Sequence, residues 1–261
     1  MEFLFSEAGR QRLEQVVHEH MLCVFDFDGT LVSIVPQPDQ AYLPEPIRQR
    51  LRELSRHTTV AILTGRSLPD IRARLGFEPR YVLGNHGIEG LPGWEERSKQ
   101  YRELCLRWER MLNAVFRENA QFDRGIHLEN KQYSLSVHYR HTRDPQRCET
   151  QLAQLFATLL PDARVMAGKF VFNLLPPGAE DKGSAMKKLL QISGASSAIY
   201  VGDDVTDEDV FRLRHSDILS VRVEASPHSA AEWYLHGPQD IGLLLDDLIS
   251  RLRRARMKVI A

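Results

Sequence analysis

Met21-Leu22-Cys23-Val24-Phe25-Asp26-Phe27-Asp28-Gly29-Thr30 is the stretch that decides the fold. Five apolar residues in a row suit a strand buried on both faces, as in a parallel sheet. The run stops at two acids. Side chains two apart on an extended chain project the same way, so Asp26 and Asp28 address one small volume while Phe27 packs behind them. Gly29 permits a tight turn, and α/β sheets bind ligands outside the carboxyl ends of their strands. The pair therefore suits a site in which one acid attacks and the other handles protons. A D-x-D-G pattern also occurs in turns and calcium loops, but a calcium loop continues with alternating acids and a distal Glu. Thr30, Leu31 and Val32 stand there instead.

Two more strand ends extend the pattern. Thr58-Thr59-Val60-Ala61-Ile62-Leu63 stops at Thr64-Gly65-Arg66, which supplies a hydroxyl and a turn with backbone N–H groups suited to phosphate oxygens. Ala198-Ile199-Tyr200-Val201 ends in the acidic run Gly202-Asp203-Asp204-Val205-Thr206-Asp207-Glu208-Asp209. Ahead of it, Asp181-Lys182-Gly183-Ser184 opens an apolar-periodic helix through Met186, Leu189 and Leu190, which puts Lys182 at a helix entrance that attracts anions. Each piece has a plainer reading. Lys182 alone suits a solvated helix surface, Thr64 alone a locally satisfied hydroxyl, and Thr206 with Asp209 a capping box for the following helix. The plainer readings leave the order unexplained: acid pair, Thr-Gly-Arg, Lys-Gly, Gly-Asp-Asp.

Composition narrows the partners. With 34 Lys and Arg against 35 Asp and Glu in 261 residues, the net charge of −1 gives no basic field for nucleic acid or anionic membrane. The apolar runs are strand-sized, far below the roughly 20 residues needed to span a bilayer. The first residues, with Glu2, Glu7, Arg10 and Arg12, do not read as a secretion signal, so a cytoplasmic location is expected. Cys23, Cys105 and Cys148 are odd in number and lack metal-type spacing, which argues against a disulfide framework. The basic run Arg251 to Lys258 reads as the dipole-complementing end of a helix.

The chain alternates helix and strand up to about residue 94. An amphipathic helix is expected over Ala8 to His20, an irregular segment around Pro36, Pro38, Pro44 and Pro46, helices over Ile47–Leu54 and Leu68–Leu75, and a strand over Tyr81–Leu83. That grammar predicts a doubly wound α/β core with a parallel sheet. Between residues 95 and 178 it changes to αββαββ: a helix over Tyr101–Phe116, strands over Gly125–Glu129 and Tyr133–Tyr139, a helix over Asp144–Leu159, and strands around Ala163–Ala167 and Phe170–Leu174. Residues 1–94 with 179–261 are thus read as the core, and 95–178 as an inserted α+β cap closing over the acid-bearing edge.

The four-part order resembles the haloacid-dehalogenase-type phosphatases, whose core is a Rossmann-like sheet. Gly202-Asp203-Asp204-Val205-Thr206-Asp207-Glu208-Asp209-Val210-Phe211 is similar to their trehalose-6-phosphate phosphatase branch. So are Gly84-Asn85-His86-Gly87, Leu128-Glu129-Asn130-Lys131 followed by Ser134 to Arg140, and Gly168-Lys169 ahead of Pro176. The resemblance covers roughly residues 20 to 245. It implies Mg2+ held by Asp26, Asp203 and the backbone carbonyl of Asp28, with Asp204 and Asp207 behind them holding waters or Lys182. Asp26 is then the nucleophile and Asp28 the acid/base. Thr64, Gly65, Arg66 and His86 lie toward the phosphate, Lys182 stabilises its charge, and no organic cofactor is expected. Glu129, Lys131, His138 and Arg140 are implied to face the sugar and Lys169 the phosphate or sugar, although taken alone each suits a solvated sheet face, and Asn173 can offer a donor and an acceptor to sugar hydroxyls.

The chain departs from that branch at Val171-Phe172-Asn173-Leu174-Leu175-Pro176, where an acid and, two residues on, a base are usual. Positions 173 and 175 share a strand face, so both charges are missing together. The expected activity is hydrolysis of trehalose 6-phosphate by a monomer. Another sugar phosphate or a glycosyl-phosphoglycerate is the same-class alternative. A silent phosphosugar sensor is disfavoured, because sensing needs neither nucleophile nor acid/base.

Overall fold

The structure, a computed structural model, describes residues 1–35, 37–168 and 170–260. The chain divides into two compact units, Met1–Leu91 with Glu180–Ala261, and Pro92–Ala179.

In the first unit the chain runs β1 (Glu2–Phe3), α1 (Glu7–Val16), β2 (Met21–Phe25), α2 (Glu45–Leu54), β3 (Thr59–Leu63), α3 (Leu68–Leu75) and β4 (Tyr81–Leu83). In the second it forms α4 (Glu95–Glu118), β5 (His127–Asn130), β6 (Leu135–His138), α5 (Pro145–Leu159), β7 (Arg164–Gly168) and β8 (Val171–Leu175). It completes the first unit with α6 (Lys182–Ser193), β9 (Ser197–Gly202), α7 (Glu208–Phe211), β10 (Ile218–Val223), β11 (Trp233–Leu235) and α8 (Ile241–Ile260). Pro38 opens a short 3-10 turn and Pro44 precedes α2, as suits a segment dense in proline, while Pro36 lies outside the described residues.

The seven strands of the first unit pair parallel in the order β1-β11-β10-β9-β2-β3-β4. From β2 the chain winds one way to β3 and β4, and from β9 the other way to β10 and β11. The switch point lies between β2 and β9, paired with Phe25 opposite Val201, the place where such sheets bind ligands. Met21, Cys23, Phe25 and Phe27 join one core with residues of α1, α2 and α8. By alternation, Leu22 and Val24 point to the other face, and so does Asp26. At the N-terminus of α6, the Asp181 carboxylate accepts from Ser184 N at 2.8 Å and the Ser184 hydroxyl accepts from Asp181 N at 3.0 Å. That reciprocal cap fixes where the helix starts.

The second unit carries one antiparallel sheet, in the order β5-β6-β8-β7. The two expected hairpins are joined through β6 and β8, with Val137 opposite Phe172. Leu128, Leu135, Val137, Phe172 and Leu174 pack on Cys105, Trp108 and Leu112 of α4 and Cys148, Leu152 and Phe156 of α5. The other face carries the row Glu129, Ser136, Asn173, Met166.

The doubly wound core and the smaller α+β unit agree with the sequence reading, and the differences lie at element ends. The first helix stops at Val16 rather than His20, and the long helix runs from Glu95 to Glu118. The strand expected up to Tyr139 ends at His138, and Phe170, with φ of 62°, belongs to a turn ahead of β8. Strands β1, β10 and β11 are additional to that reading. All three thiols are buried and free, and no described helix is long and apolar enough to cross a membrane.

On the face away from the site, Glu53 of α2 accepts hydrogen bonds from Arg253 (2.7 Å), Arg56 (2.6 Å) and His57 (2.9 Å), which lower its pKa to about 2. A pKa lower in the folded than in the unfolded chain stabilises fully above the unfolded value, and that gain is lost as pH falls through the folded one. Glu53→Gln should therefore lower stability by about 1 kcal/mol or less at pH 7, with the gap to wild type closing as pH falls from above 4.5 toward 2. Thermal melts across that range test it, and a gap that persists at pH 2 would assign the loss to packing.

Candidate active site

At the end of β2 the backbone N–H of Asp26 still bonds to Val201 O of β9 (2.9 Å), so the first acid leaves the sheet at the switch point. The chain then turns back on itself, with Gly29 N donating to Val32 O at 2.7 Å. Gly29 has φ of +81°, and a Cβ there would stand 2.0 Å from the Asp203 carboxylate. Only glycine lets the two strand ends approach so closely. Thr30 completes the join, its hydroxyl donating to Asp203 Oδ1 at 3.1 Å.

Lys182, projecting from the first residue of α6, is buried and donates to Asp26 Oδ1 (2.8 Å) and Asp207 Oδ1 (2.6 Å). Burial opposes its charge, and the two carboxylates outweigh that, raising its pKa. Asp207 takes four donors. Besides Lys182, Tyr200 donates its hydroxyl at 2.5 Å, and Asp203 N and Asp204 N donate to Oδ2 at 2.9 and 2.8 Å. That fills the lone pairs of a carboxylate and holds the Asp207 pKa below its usual range despite burial. Burial pushes Asp26 well above the carboxylate range, with Asp207 adding to the shift and Lys182 opposing it. Asp203 is pushed up to about 6 by burial and then by Asp207, against the Thr30 bond.

Asp26, Asp203 and Asp207 each offer an oxygen within 4.8 Å of the others. Two buried acids and the half-buried Asp203 share one lysine, so negative charge is left over. Hard oxygen donors around such an excess suit a hard divalent cation. Since Asp207 is saturated, Asp26 and Asp203 are the side chains with an oxygen left to give.

Lys182 bonds to Asp207 and Asp26, and the Asp204 carboxylate is exposed. Asp204 contributes its backbone, donating from N to Asp207. The capping box expected from Thr206 and Asp209 is not formed as such, because α7 starts only at Glu208 and Asp207 is the acid that reaches back.

On the β3 side, Thr64 is buried and its hydroxyl accepts from Arg66 N at 3.2 Å. The segment after β4 clasps this turn: His86 N donates to Thr64 O (2.9 Å) and Asn85 N to Arg66 O (2.8 Å). The His86 ring covers Gly65, where a Cβ would stand 2.6 Å from Cε1. Arg66, expected from the sequence to lie toward the phosphate, grips Asp28. Its Nε and Nη2 donate to the two carboxylate oxygens at 2.6 Å each, and Nη1 donates to Asp70 at 2.8 Å. Burial works against the guanidinium, and the bonds to Asp28 and Asp70 more than offset it.

In the second unit, His138 Nε2 lies 3.1 Å from Glu129 Oε2, and Lys131 Nζ lies 3.9 Å from the same oxygen. Ser136 donates its hydroxyl to Asn173 Oδ1 at 2.7 Å. Arg140 does not share that row. It lies in the turn past β6, its guanidinium 6.0 Å from the Phe170 ring centroid. Lys169 lies outside the described residues.

Thr30, Tyr200 and Asp70 were not singled out from the sequence. Thr30 had a signal in its place directly after the acid pair. Tyr200 reads as a strand residue and Asp70 as a helix-surface acid.

If Asp207 is the anchor of this array, Asp207→Asn should destabilise by about 3–5 kcal/mol, since it turns an amide N–H2 toward buried donors and strips Lys182 of a counter-charge. Tyr200→Phe removes one bond of four and should cost about 1–3 kcal/mol. Denaturant unfolding measures both, and an equal or reversed order would overturn the assignment.

The family described as Trehalose-phosphatase matches residues 24–239. The trehalose-phosphate phosphatase of Mycobacterium tuberculosis is 30% identical over 250 residues, covering 90% of this chain, which spans 62% of that relative's length. Trehalose-phosphate phosphatase B of Arabidopsis thaliana is 29% identical over 258 residues, covering 90% of this chain and 68% of that one. A solved trehalose-6-phosphate phosphatase of Aspergillus fumigatus superposes with a TM-score of 0.68 at 25% identity, over 92% of this chain and 97% of that one. With 216 of its 261 residues inside the matched region, the chain belongs to the trehalose-phosphatase family.

Proposed function

We propose that this protein hydrolyses trehalose 6-phosphate to trehalose and phosphate through an aspartyl-phosphate, with Mg2+. The observation that carries the proposal is the buried array at the switch point, where Asp26 keeps one oxygen outside its bond to Lys182, with Asp203 beside it and Asp28 two residues on. Family membership supplies the substrate class.

A phosphate monoester repels a nucleophile through its anionic oxygens. In this reading Asp26 attacks phosphorus, a bond forming between its carboxylate oxygen and phosphorus as the bond from phosphorus to the sugar oxygen breaks. Asp28 gives that oxygen its proton and then takes one from the water that cleaves the aspartyl-phosphate. Lys182, Thr64 and the turn N–H groups hold the phosphate oxygens. Asp26, Asp203 and the Asp28 carbonyl would hold Mg2+, which when bound neutralises charge on the transferring group. Asp207 keeps Lys182 and Asp203 in place.

We assign sugar preference to the polar row of the second unit, Glu129 with Lys131, His138 and Asn173. The pairing of Asn173 with Ser136 favours one further reading, a changed sugar preference, because a neutral amide stands where the family's acid is usual. Phosphate release from a panel of sugar phosphates, with magnesium and after chelation, separates the two. Trehalose 6-phosphate should be preferred and chelation should abolish turnover. Equal hydrolysis of glucose 6-phosphate would reassign the substrate.

Asp26→Asn should lower turnover by about a thousandfold or more while leaving the fold intact, since an amide is a poor nucleophile. Retained magnesium-dependent activity would remove Asp26 from its role. Glu129→Ala and Lys131→Ala should lower kcat/KM for the sugar phosphate by about tenfold or more, and that for p-nitrophenyl phosphate far less. Parallel losses would point to a role in folding rather than sugar recognition.

A further inference from the structure

Asp28 ends an alternating run of acids and guanidiniums that leads away along α3. Arg66 gives Nε and Nη2 to Asp28 and Nη1 to Asp70 Oδ2. Asp70 Oδ1 in turn accepts from Arg74 Nε (2.9 Å) and Nη2 (2.6 Å). Arg74 Nη1 donates to the carbonyls of Asp39 (2.8 Å) and Ala41 (3.3 Å), in the loop ahead of α2. The Arg66 and Arg74 side chains are only 11% and 8% exposed, whereas Asp28 is 42% exposed. The Phe27 ring lies 5.6 Å from the Arg66 guanidinium and the Tyr42 ring 5.2 Å from that of Arg74.

An Asp–Arg pair four residues apart on a helix is ordinary, and it accounts for Asp70 with Arg74. It does not account for Arg66 spending its last nitrogen on the same acid. A guanidinium is rigid and planar. When all three nitrogens are engaged its plane is fixed, and a carboxylate bound to it bidentately inherits that plane.

We propose that Asp70 is a positioning residue that acts through Arg66 to hold the Asp28 carboxylate in the orientation from which it serves the sugar leaving group. Arg74 fixes Asp70 by the same means, and its backbone partners tie the run to the loop that follows the acid pair. Arg66 is then a holder of Asp28, not a ligand of the substrate. This inference rests on the acid/base role proposed for Asp28.

The test compares kcat/KM for trehalose 6-phosphate and p-nitrophenyl phosphate with magnesium. That constant ends at the first irreversible step, phosphoryl transfer to the enzyme, where a sugar alkoxide needs a proton and a nitrophenolate does not. Asp70→Ala should lower it about tenfold for the sugar phosphate and no more than about twofold for the aryl phosphate. Asp70→Asn keeps the volume and one acceptor and should lose less, which also covers the case in which Asp70→Ala melts at assay temperature. Arg66→Lys lacks the fork, so Arg66→Lys with Asp70→Ala should lose no more than Arg66→Lys alone. Equal losses on both substrates, or losses that add in the double variant, overturn the inference. If wild type hydrolyses neither phosphate, the functional proposal fails and takes the inference with it. If wild type hydrolyses both and the Asp70 variants match it, the inference alone fails.

Discussion

A single buried carboxylate organises the site. Asp207 collects a lysine from α6, a tyrosine from β9 and two backbone N–H groups from the turn after β9. A bare carboxylate in that position would cost several kcal/mol, and four donors offset the cost by filling its lone pairs. The geometry that satisfies Asp207 also brings Lys182 against Asp26 and fixes the turn from which Asp203 projects. Asp203 is in turn tied to the β2 end through Thr30 and the absence of a side chain at Gly29. The two strands at the switch point are thus joined by sheet pairing below and by this polar array above.

The core fold was legible because its signals are local. Met21 to Phe25, Thr59 to Leu63 and Ala198 to Val201 are apolar runs that end in acids, a hydroxyl or glycine, and each is a parallel strand whose end faces the site. β1 is too short to read, and in β10 Ser220 and Arg222 interrupt the apolar run. The acidic run from Asp203 to Asp209 announced a site without saying which acid turns inward. That choice is made by the turn at Val205–Asp207, which carries Asp207 under β9 and leaves Asp204 in solvent. The partners of Arg66 were hidden for a related reason. A basic residue in a strand-end turn looks like an anion ligand, and only the fold brings Asp28 and Asp70 within its reach.

In the second unit the existence of four strands was legible and their partnership was not, since joining β6 to β8 is a contact between hairpins 30 or more residues apart. That pairing gives the departure at Asn173 a physical setting. Ser136 sits opposite Asn173 and donates to its carbonyl oxygen, which leaves the amide nitrogen to point its donors elsewhere. Where the resemblance leads one to expect an acid and, two residues on, a base, this row carries a neutral amide with a donor to offer. The row keeps its hydrogen-bonding capacity while its charge and direction change.

The spacing of Asp26 and Asp28 suggested two tasks for two acids, and their surroundings make the two carboxylates different. Asp26 is buried and takes a compact ammonium at one oxygen, an arrangement that leaves its other oxygen unbonded to Lys182. Asp28 is half open to solvent and is gripped at both oxygens by a planar fork. An ammonium balances charge with little demand on orientation, whereas a guanidinium dictates orientation. A nucleophile needs its charge stabilised without losing the attacking lone pair. A group that passes protons to and from a mobile oxygen needs its plane aimed and its edge accessible. The two cations differ in the way those two tasks differ, and this match between partner and task is the physical support for the proposal that Asp26 attacks and Asp28 transfers protons.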